Sequence, residues 1–454
     1  MMTKLAKAAK IKESKRIKLL DSNKIKKMKE IFLEWSLRTD LNCYTKIFVY
    51  RQWPLIGLIW LFILLVSSGI TFWLIAKSIS EYFNYSIVSQ IGIVSETKSV
   101  FPTVTICDKN PLTTREAEDL FERVAQKYNL SLNDSRLVRY AKILVTNPSY
   151  SVEEKRSFGL NLGQFISCSF KGETCDMNKD FNWLWSYVYG NCWQFNSGRN
   201  TGSNLRETYG GNDFGLSVSV SLDIQNKYLL LTETLSKGLI VFIHNSSFYP
   251  HVFEKHQAFV ETDKDTYIAV KRIFNYKMPR PYSKCIDLND YSSDLFDFIK
   301  SNRTYRQTDC FRLCRHKLYS ENCGCNGIND DFNFSNKSLR PCDGNDLVCM
   351  DSQQYNNFCP EECEKKWCPL ECDSIEYDLK ISSLVYSSRN AATLRLFIYY
   401  QSLDYTFIRE SPQMTELDLF ANIGGTLGLF ISASIFTLFE IIEILVLVFQ
   451  ALFF

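Results

Sequence analysis

Two long uncharged apolar runs, one near each end of the chain, constrain this sequence more than any other feature. Leu55–Ala76 holds 22 residues without a charged side chain, and Leu419–Phe439 holds 21. At 1.5 Å per residue each would reach about 32–33 Å as a helix, close to the roughly 30 Å thickness of bilayer hydrocarbon. Helices buried in a soluble core seldom stay uncharged for so long, so both runs are read as membrane spans. Averaged over all 454 residues the mean hydropathy is slightly negative, so the apolar character is concentrated in these two places. What lies between them is long enough for a substantial folded body.

The flanking charges set the orientation. Residues before Trp53 include 14 Lys and Arg against five Asp and Glu, whereas Lys77 alone follows the first run. Positive charge is retained on the cytosolic side, so the N-terminus is expected in the cytosol. The first apolar run begins only after this long basic segment, unlike a cleavable signal peptide, and the first span would act as its own insertion signal. The Lys-rich stretch reads as a solvated tail, with attraction to anionic lipid as a further use. Trp53-Pro54 marks the helix start, because Pro is tolerated in a first turn and Trp favours the membrane interface. The expected organisation is a cytosolic segment over 1–53, a first span over 54–76, an extracellular domain over 77–416, a second span over 417–449 and a short cytosolic end over 450–454. Both termini would be cytosolic, in the plasma membrane.

The expected fold class is α+β: two transmembrane helices flanking a large, disulfide-rich, mixed α/β extracellular domain. Ser99–Cys107 is β-branched and bounded by turn residues, Gly215–Leu222 alternates with period two, and Leu239–His244 is a short apolar run of the buried-strand kind. Thr114–Tyr128 reads as a helix. N-glycosylation triplets begin at Asn84, Asn129, Asn133, Asn245, Asn302, Asn333 and Asn336, all between the spans. Asn84 lies too near the bilayer to be an expected acceptor. Fifteen of the 16 cysteines also lie between the spans, 11 of them from Cys285 to Cys372. Zinc-type C-x2-C pairs and His at ligand spacing are missing, so no metal site is expected and extracellular disulfides are the expected fate. Spacing alone leaves their connectivity open. The cluster reads as a column stiffened by bridges.

The second run carries the informative chemistry. Gly424 and Gly428 form a G-x-x-x-G pair that lets helices approach closely, so packing is one reading of Gly424, Gly425, Gly428, Ser432 and Ser434. Glu440 and Glu443 argue for another. They stand three residues apart and share a helix face, and apolar residues continue to Phe454. Carboxylates within a span are costly and usually face a bundle interior or a water-filled path; the other reading is a cytosolic boundary from which they emerge. Repeated around an axis, they would form a ring attracting cations below a narrower ring of hydroxyl and carbonyl oxygens.

Gly424-Gly-Thr-Leu-Gly-Leu-Phe, followed by Ser432-Ala-Ser434 and Glu440, resembles the pore helix of the degenerin, epithelial sodium channel and acid-sensing channel family. Further marks follow in that family's order: Phe101-Pro-Thr-Val-Thr-Ile-Cys107, Gly190-Asn-Cys-Trp-Gln-Phe-Asn196, Asn322-Cys-Gly-Cys325 and Cys368-Pro-Leu-Glu-Cys372. The resemblance implies a trimer with itself or related subunits around a central pore, Na+ as the permeant ion, no cofactor, and block by amiloride at the outer pore. Ser432, Ala433 and Ser434 match the family's G-x-S selectivity filter, with Ser in place of the first Gly. Gly424, Gly425, Gly428, Glu440 and Glu443 would line the pore, and Ala421 matches a small-residue site where bulk holds family channels open.

The gating positions carry over less evenly. Family members usually have His-Gly before the first span; Asn42-Cys43 stands there instead. Tyr85 and Tyr282 match aromatic residues that meet at the family's wrist, where ring contacts of about 0.5–1.5 kcal/mol would couple the outer domain to the helices. Ordinary aromatic filling is the other reading. The resemblance implies bridges Cys107–Cys192, Cys168–Cys175, Cys285–Cys372, Cys310–Cys368, Cys323–Cys349 and Cys325–Cys342, with Cys314 taking Cys363 or Cys359. Phe101–Pro111 is most similar to the invertebrate neuropeptide-gated branch, which implies an extracellular gating ligand, a neuropeptide.

Other classes account for less of the chain. A two-span scavenger or adhesion receptor would need neither carboxylates in the second span nor the Gly-rich sequence before them. A membrane-anchored ecto-enzyme would need a catalytic constellation, and neither G-x-S-x-G nor H-E-x-x-H occurs, while His244, His251, His256 and His316 lack ligand spacing. A trimeric ATP-gated channel shares the topology but not the marks above. No catalytic residue and no nucleic-acid partner are expected; the lipid bilayer is.

Overall fold

The computed structural model describes residues 26–453 apart from 51, 148, 199–204, 231–236, 247–255, 288–290, 303–304, 326–338, 353–362, 365 and 386–391. The chain divides into two compact units, Met1–Val88 with Pro412–Phe454, and Ser89–Ser411. The second of these lies within residues 77–416, the stretch read from the sequence as extracellular.

In the first unit, helix Pro54–Phe83 has 30 residues and begins with Pro at its first turn. It runs seven residues past Ala76, the expected end of the first span. Nothing breaks the helix there, and Lys77 and Glu81 pair across one turn at 3.7 Å. The second apolar run does not form the expected single helix over 417–449. Two helices form, Glu416–Ile431 and Ile435–Phe453, bent by 72° across a three-residue break. Among the described residues Pro54–Phe83 alone is long and apolar enough to cross a bilayer by itself, and the bent pair meets the same test taken together. Ahead of Pro54 lie a helix over residues 26–38 and the helix Asn42–Val49. Their rings interlock, Phe32 with Phe48 at 6.4 Å and Trp35 with Tyr44 at 5.9 Å.

The outer unit is built on two sheets. The larger runs in the order Ile87–Val94, Tyr405–Pro412, Lys264–Tyr276, Thr393–Tyr400, Leu216–Ser221, Phe165–Phe170, Glu173–Thr174, with Asp373–Val385 added along Lys264–Tyr276. Lys264–Tyr276 is antiparallel to Asp373–Val385 but parallel to Thr393–Tyr400 and Tyr405–Pro412. The smaller sheet is antiparallel throughout: Gln257–Glu261, Gly238–His244, Thr103–Asp108, Gly190–Phe195, Phe181–Ser186. In Leu216–Ser221 the residues Leu216, Val218 and Val220 turn inward and the serines between them stay half-buried, as period two requires. Gly238–His244 is buried along its whole length. Phe101, Ile106, Trp193, Val241 and Leu396 belong to one core shared by both sheets. The strand expected over Ser99–Cys107 is split into Ser99–Val100 and Thr103–Asp108 at Phe101-Pro102, because Pro102 has no N–H for a ladder. Helix Glu116–Tyr128 buries Leu120, Phe121 and Val124 and stops at Asn129, which takes a left-handed conformation.

Seven disulfides cross-link this unit. Cys107–Cys192 joins two adjacent strands and Cys168–Cys175 closes a hairpin. The other five are nested: Cys285–Cys372 encloses Cys310–Cys368, then Cys314–Cys363, Cys323–Cys349 and Cys325–Cys342. Helix Gln307–Cys323 supplies Cys310 and Cys314 from one buried face, four residues apart. Cys314 takes Cys363; Cys359 lies outside the described residues.

Candidate functional site

The break in the second apolar run interrupts an otherwise helical segment of the first unit. Helix Glu416–Ile431 starts three residues before the uncharged run, because Thr415 and Asp418 form a capping box: Asp418 N–H donates to Thr415 Oγ1 at 3.2 Å, and Asp418 Oδ2 accepts from Thr415 N–H at 2.9 Å. It ends at Ser432, whose φ of 62° is left-handed. The N–H groups of Ser432 and Ala433 donate back to the Gly428 and Leu427 carbonyls at 3.1 and 3.2 Å. The next helix is started by Thr437, whose hydroxyl accepts from Ser434 N–H at 3.0 Å while its own N–H donates to the Ser434 carbonyl at 3.1 Å. Ser432, Ala433 and Ser434 therefore bond back to the ends of the two helices but belong to neither. Irregular backbone is tolerated at membrane depth only where it is buried in protein or borders a water-filled cavity, because each loose carbonyl or N–H is costly in hydrocarbon.

Gly424 and Gly425 are exposed, and a Cβ built on either meets no atom of the described chain within 4 Å. Neither glycine is therefore used for close packing against the chain's own first-span helix. Ala421 is exposed on the same helix. Glu440 is half-buried and Glu443 exposed, and the two share a cavity of about 240 Å³ with Ile31, Glu34, Trp35, Arg38, Thr39 and Leu447. The Glu440 carboxylate is held there: Thr39 Oγ1 donates to its Oε2 at 2.6 Å and Asp40 N–H donates to the same oxygen at 3.3 Å. Trp35 Nε1 donates to the Glu440 carbonyl at 3.2 Å.

The sequence reading placed Glu440 and Glu443 together but missed the segment that grips them. Its signal was present: Phe32, Trp35, Ser36 and Thr39 fall at i, i+3, i+4 and i+7, the period of one helix face. The preceding Lys run masks it, since charge on all sides reads as a solvated tail. Asn42 and Cys43 begin the helix Asn42–Val49, of which only their backbone is described.

Residues 36–444 match the family described as amiloride-sensitive sodium channel. The chain belongs to this family. Among its relatives, the bile acid-sensitive ion channel of Rattus norvegicus is 24% identical over 430 residues, covering 85% of this chain and 82% of that protein. Acid-sensing ion channel 2 of Homo sapiens is 25% identical over 443 residues, covering 89% and 84%. The gamma subunit of the epithelial sodium channel of Bos taurus is 28% identical over 327 residues, covering 66% and 47%.

Two further groups were singled out in the sequence, the aromatic pair by the family's pattern and the glycan acceptors by their triplets. Tyr85 follows the first-span helix in a left-handed conformation, φ 49°, with its ring 6.3 Å from Tyr82 and 6.3 Å from Phe83. Tyr282 belongs to the outer unit, half-buried ahead of Cys285. Of the expected glycan acceptors, Asn129 and Asn133 are exposed, and Asn245 is half-buried with its Oδ1 accepting from Ser246 Oγ at 3.2 Å. Asn302 ends the helix Asp294–Asn302 with only its backbone described, and Asn333 and Asn336 lie outside the described residues.

Proposed function

We propose that the chain is a subunit of a trimeric, ligand-gated, amiloride-sensitive channel that conducts Na+ selectively across the plasma membrane. The break at Ser432–Ser434 within an apolar run carries this reading. Repeated in three subunits, it would present a ring of backbone and hydroxyl oxygens that replaces part of a cation's hydration shell. Gly424, Gly425 and Gly428 would line the wider path above it, and the Glu440 and Glu443 carboxylates would hold cations below. Ala421, Asn42, Cys43, Tyr85 and Tyr282 are assigned to gating. We read the stimulus as an extracellular ligand, a neuropeptide, on the similarity of Phe101–Pro111. The relatives' names, which cite bile acid, acid and an epithelial sodium channel, support the channel class and span several stimuli.

Two-electrode voltage clamp after expression tests it. The expected result is an inward current that disappears when Na+ is replaced, falls with amiloride, and is lost in Glu440→Ala and Ser434→Trp. An Ala421→Phe variant that reaches the surface yet passes no current under any condition would leave the two-span receptor without a pore as the better reading.

A further inference from the structure

The second-span carboxylate nearest the break is not loose. Residues 35–40 reach Glu440 with three donors: the Trp35 indole at the backbone carbonyl, and the Thr39 hydroxyl and Asp40 amide at Oε2. Thr39 is 5% exposed and its neighbour Ser36 is fully buried, so the grip is not a surface contact. The two donors that reach the carboxylate bear on the same oxygen; Oε1 accepts no hydrogen bond among the described residues. Arg38, which lines the same cavity, pairs with Glu34 at 2.8 Å, both side chains being exposed.

This choice of donors has a chemical meaning. A guanidinium or ammonium on Glu440 would fix the side chain but cancel its charge. A hydroxyl and an amide fix it through charge-assisted hydrogen bonds and leave the negative charge whole. We propose that Thr39 is a positioning residue of the conducting path: it anchors Oε2 of Glu440 to the N-terminal segment, so that Oε1 is the oxygen offered to a passing cation. The proposal rests on the channel reading above and deepens it, since it ties ion selectivity to a residue about 400 positions away in sequence.

Thr39→Val removes the hydroxyl at nearly constant shape, Thr39→Ser keeps it, and Glu440→Gln removes the charge. Each is made in the full-length protein singly, and Thr39→Val also with Glu440→Gln. Expected in patch recordings is a change of the Na+/K+ permeability ratio by about 2–10-fold in Thr39→Val, equivalent to about 0.4–1.4 kcal/mol, the net worth of one ordinary hydrogen bond. Thr39→Ser keeps the parent ratio, and Thr39→Val adds nothing once Glu440→Gln is present. In the purified full-length protein, Thr39→Val lowers the melting temperature by about 2–4 °C on the parent background and not on Glu440→Gln. Additive melting shifts, or an unchanged permeability ratio in Thr39→Val at normal surface density, overturn the proposal. Non-additive shifts combined with silence in every variant, Ala421→Phe included, overturn it through the channel reading while the Thr39–Glu440 contact stands.

Discussion

Ser432 holds a left-handed backbone, and that conformation explains what its side chain costs. At φ 62° a Cβ crowds the neighbouring carbonyl, which disfavours any residue other than Gly, Asn or Asp by about 1–2 kcal/mol. Ser432→Gly is therefore expected to raise the melting temperature of the purified protein, by the equivalent of about 0.5–1 kcal/mol. A fall would mean that the Ser432 hydroxyl makes a bond in the assembly that outweighs the strain. Asp108 is a second strained choice. It closes strand Thr103–Asp108, 3% exposed, and burial pushes its carboxyl up to about 7 although the Asn110 amide donates to it at 2.9 Å. The folded state therefore holds this proton more tightly than the unfolded one. Its stabilising effect is complete below about pH 4, where the unfolded group is also protonated, and is lost as pH rises through about 7. Asp108→Asn keeps the acceptor and removes the titration. Its melting temperature should exceed that of the parent by a margin that opens between about pH 4 and 7 and stays constant above, worth about 2–4 kcal/mol at the plateau. A pH-independent margin contradicts this.

At the scale of elements, the two strands that continue toward the apolar helices are tied by one buried cation. Arg272, on the long central strand, is 8% exposed and donates Nη2 to Glu96 at 2.8 Å and to the Leu403 carbonyl at 3.0 Å. Its guanidinium lies 5.2 Å from the Tyr400 ring centre and 5.4 Å from that of Tyr405. Glu96 follows Ile87–Val94 and Leu403 precedes Tyr405–Pro412, so the clasp joins both. Glu96 retains about a third of its exposure, whereas Arg272 has almost none. Removing either partner is therefore unequal. Glu96→Ala strands a buried charge and should cost about 2–3 kcal/mol. Arg272→Met keeps the stack on the rings and lets Glu96 rehydrate, so it should cost less, with the double variant closer to Arg272→Met than to Glu96→Ala. Thermal melts of the three variants check the order. None of this clasp was legible in the sequence, because ion pairs between distant segments leave no local pattern. Strands Leu216–Ser221 and Gly238–His244 and helix Glu116–Tyr128 were legible, since burial of one face, both faces or a stripe writes its own period. The break at Ser432–Ser434 was not legible in the sequence; its residues are apolar or small enough to continue a helix, and no Gly or Pro announces a stop. Past Ala76, the end of the span read from the sequence, the helix itself runs on to Phe83, because Lys77 and Glu81 end the apolar run but not the helix.

Over the whole molecule, bridges rather than core size hold the outer body's far segment. Its own apolar cluster is small, formed around Leu295, Phe296, Ile299 and Leu313, and four of its nine buried members are cysteines. Spacing could not order those cysteines, and the family's pattern left Cys314 with two candidates. The nesting of the five pairs has a consequence for how such a body matures. Once Cys325 and Cys342 join, 17 residues apart, they draw Cys323 and Cys349 into reach, and each closure shortens the excursion that the next must make. Loss of an inner cysteine therefore taxes every later closure, while loss of Cys285 or Cys372 leaves the inner four unhindered. Closure therefore gains most by starting at Cys325–Cys342 and finishing at Cys285–Cys372.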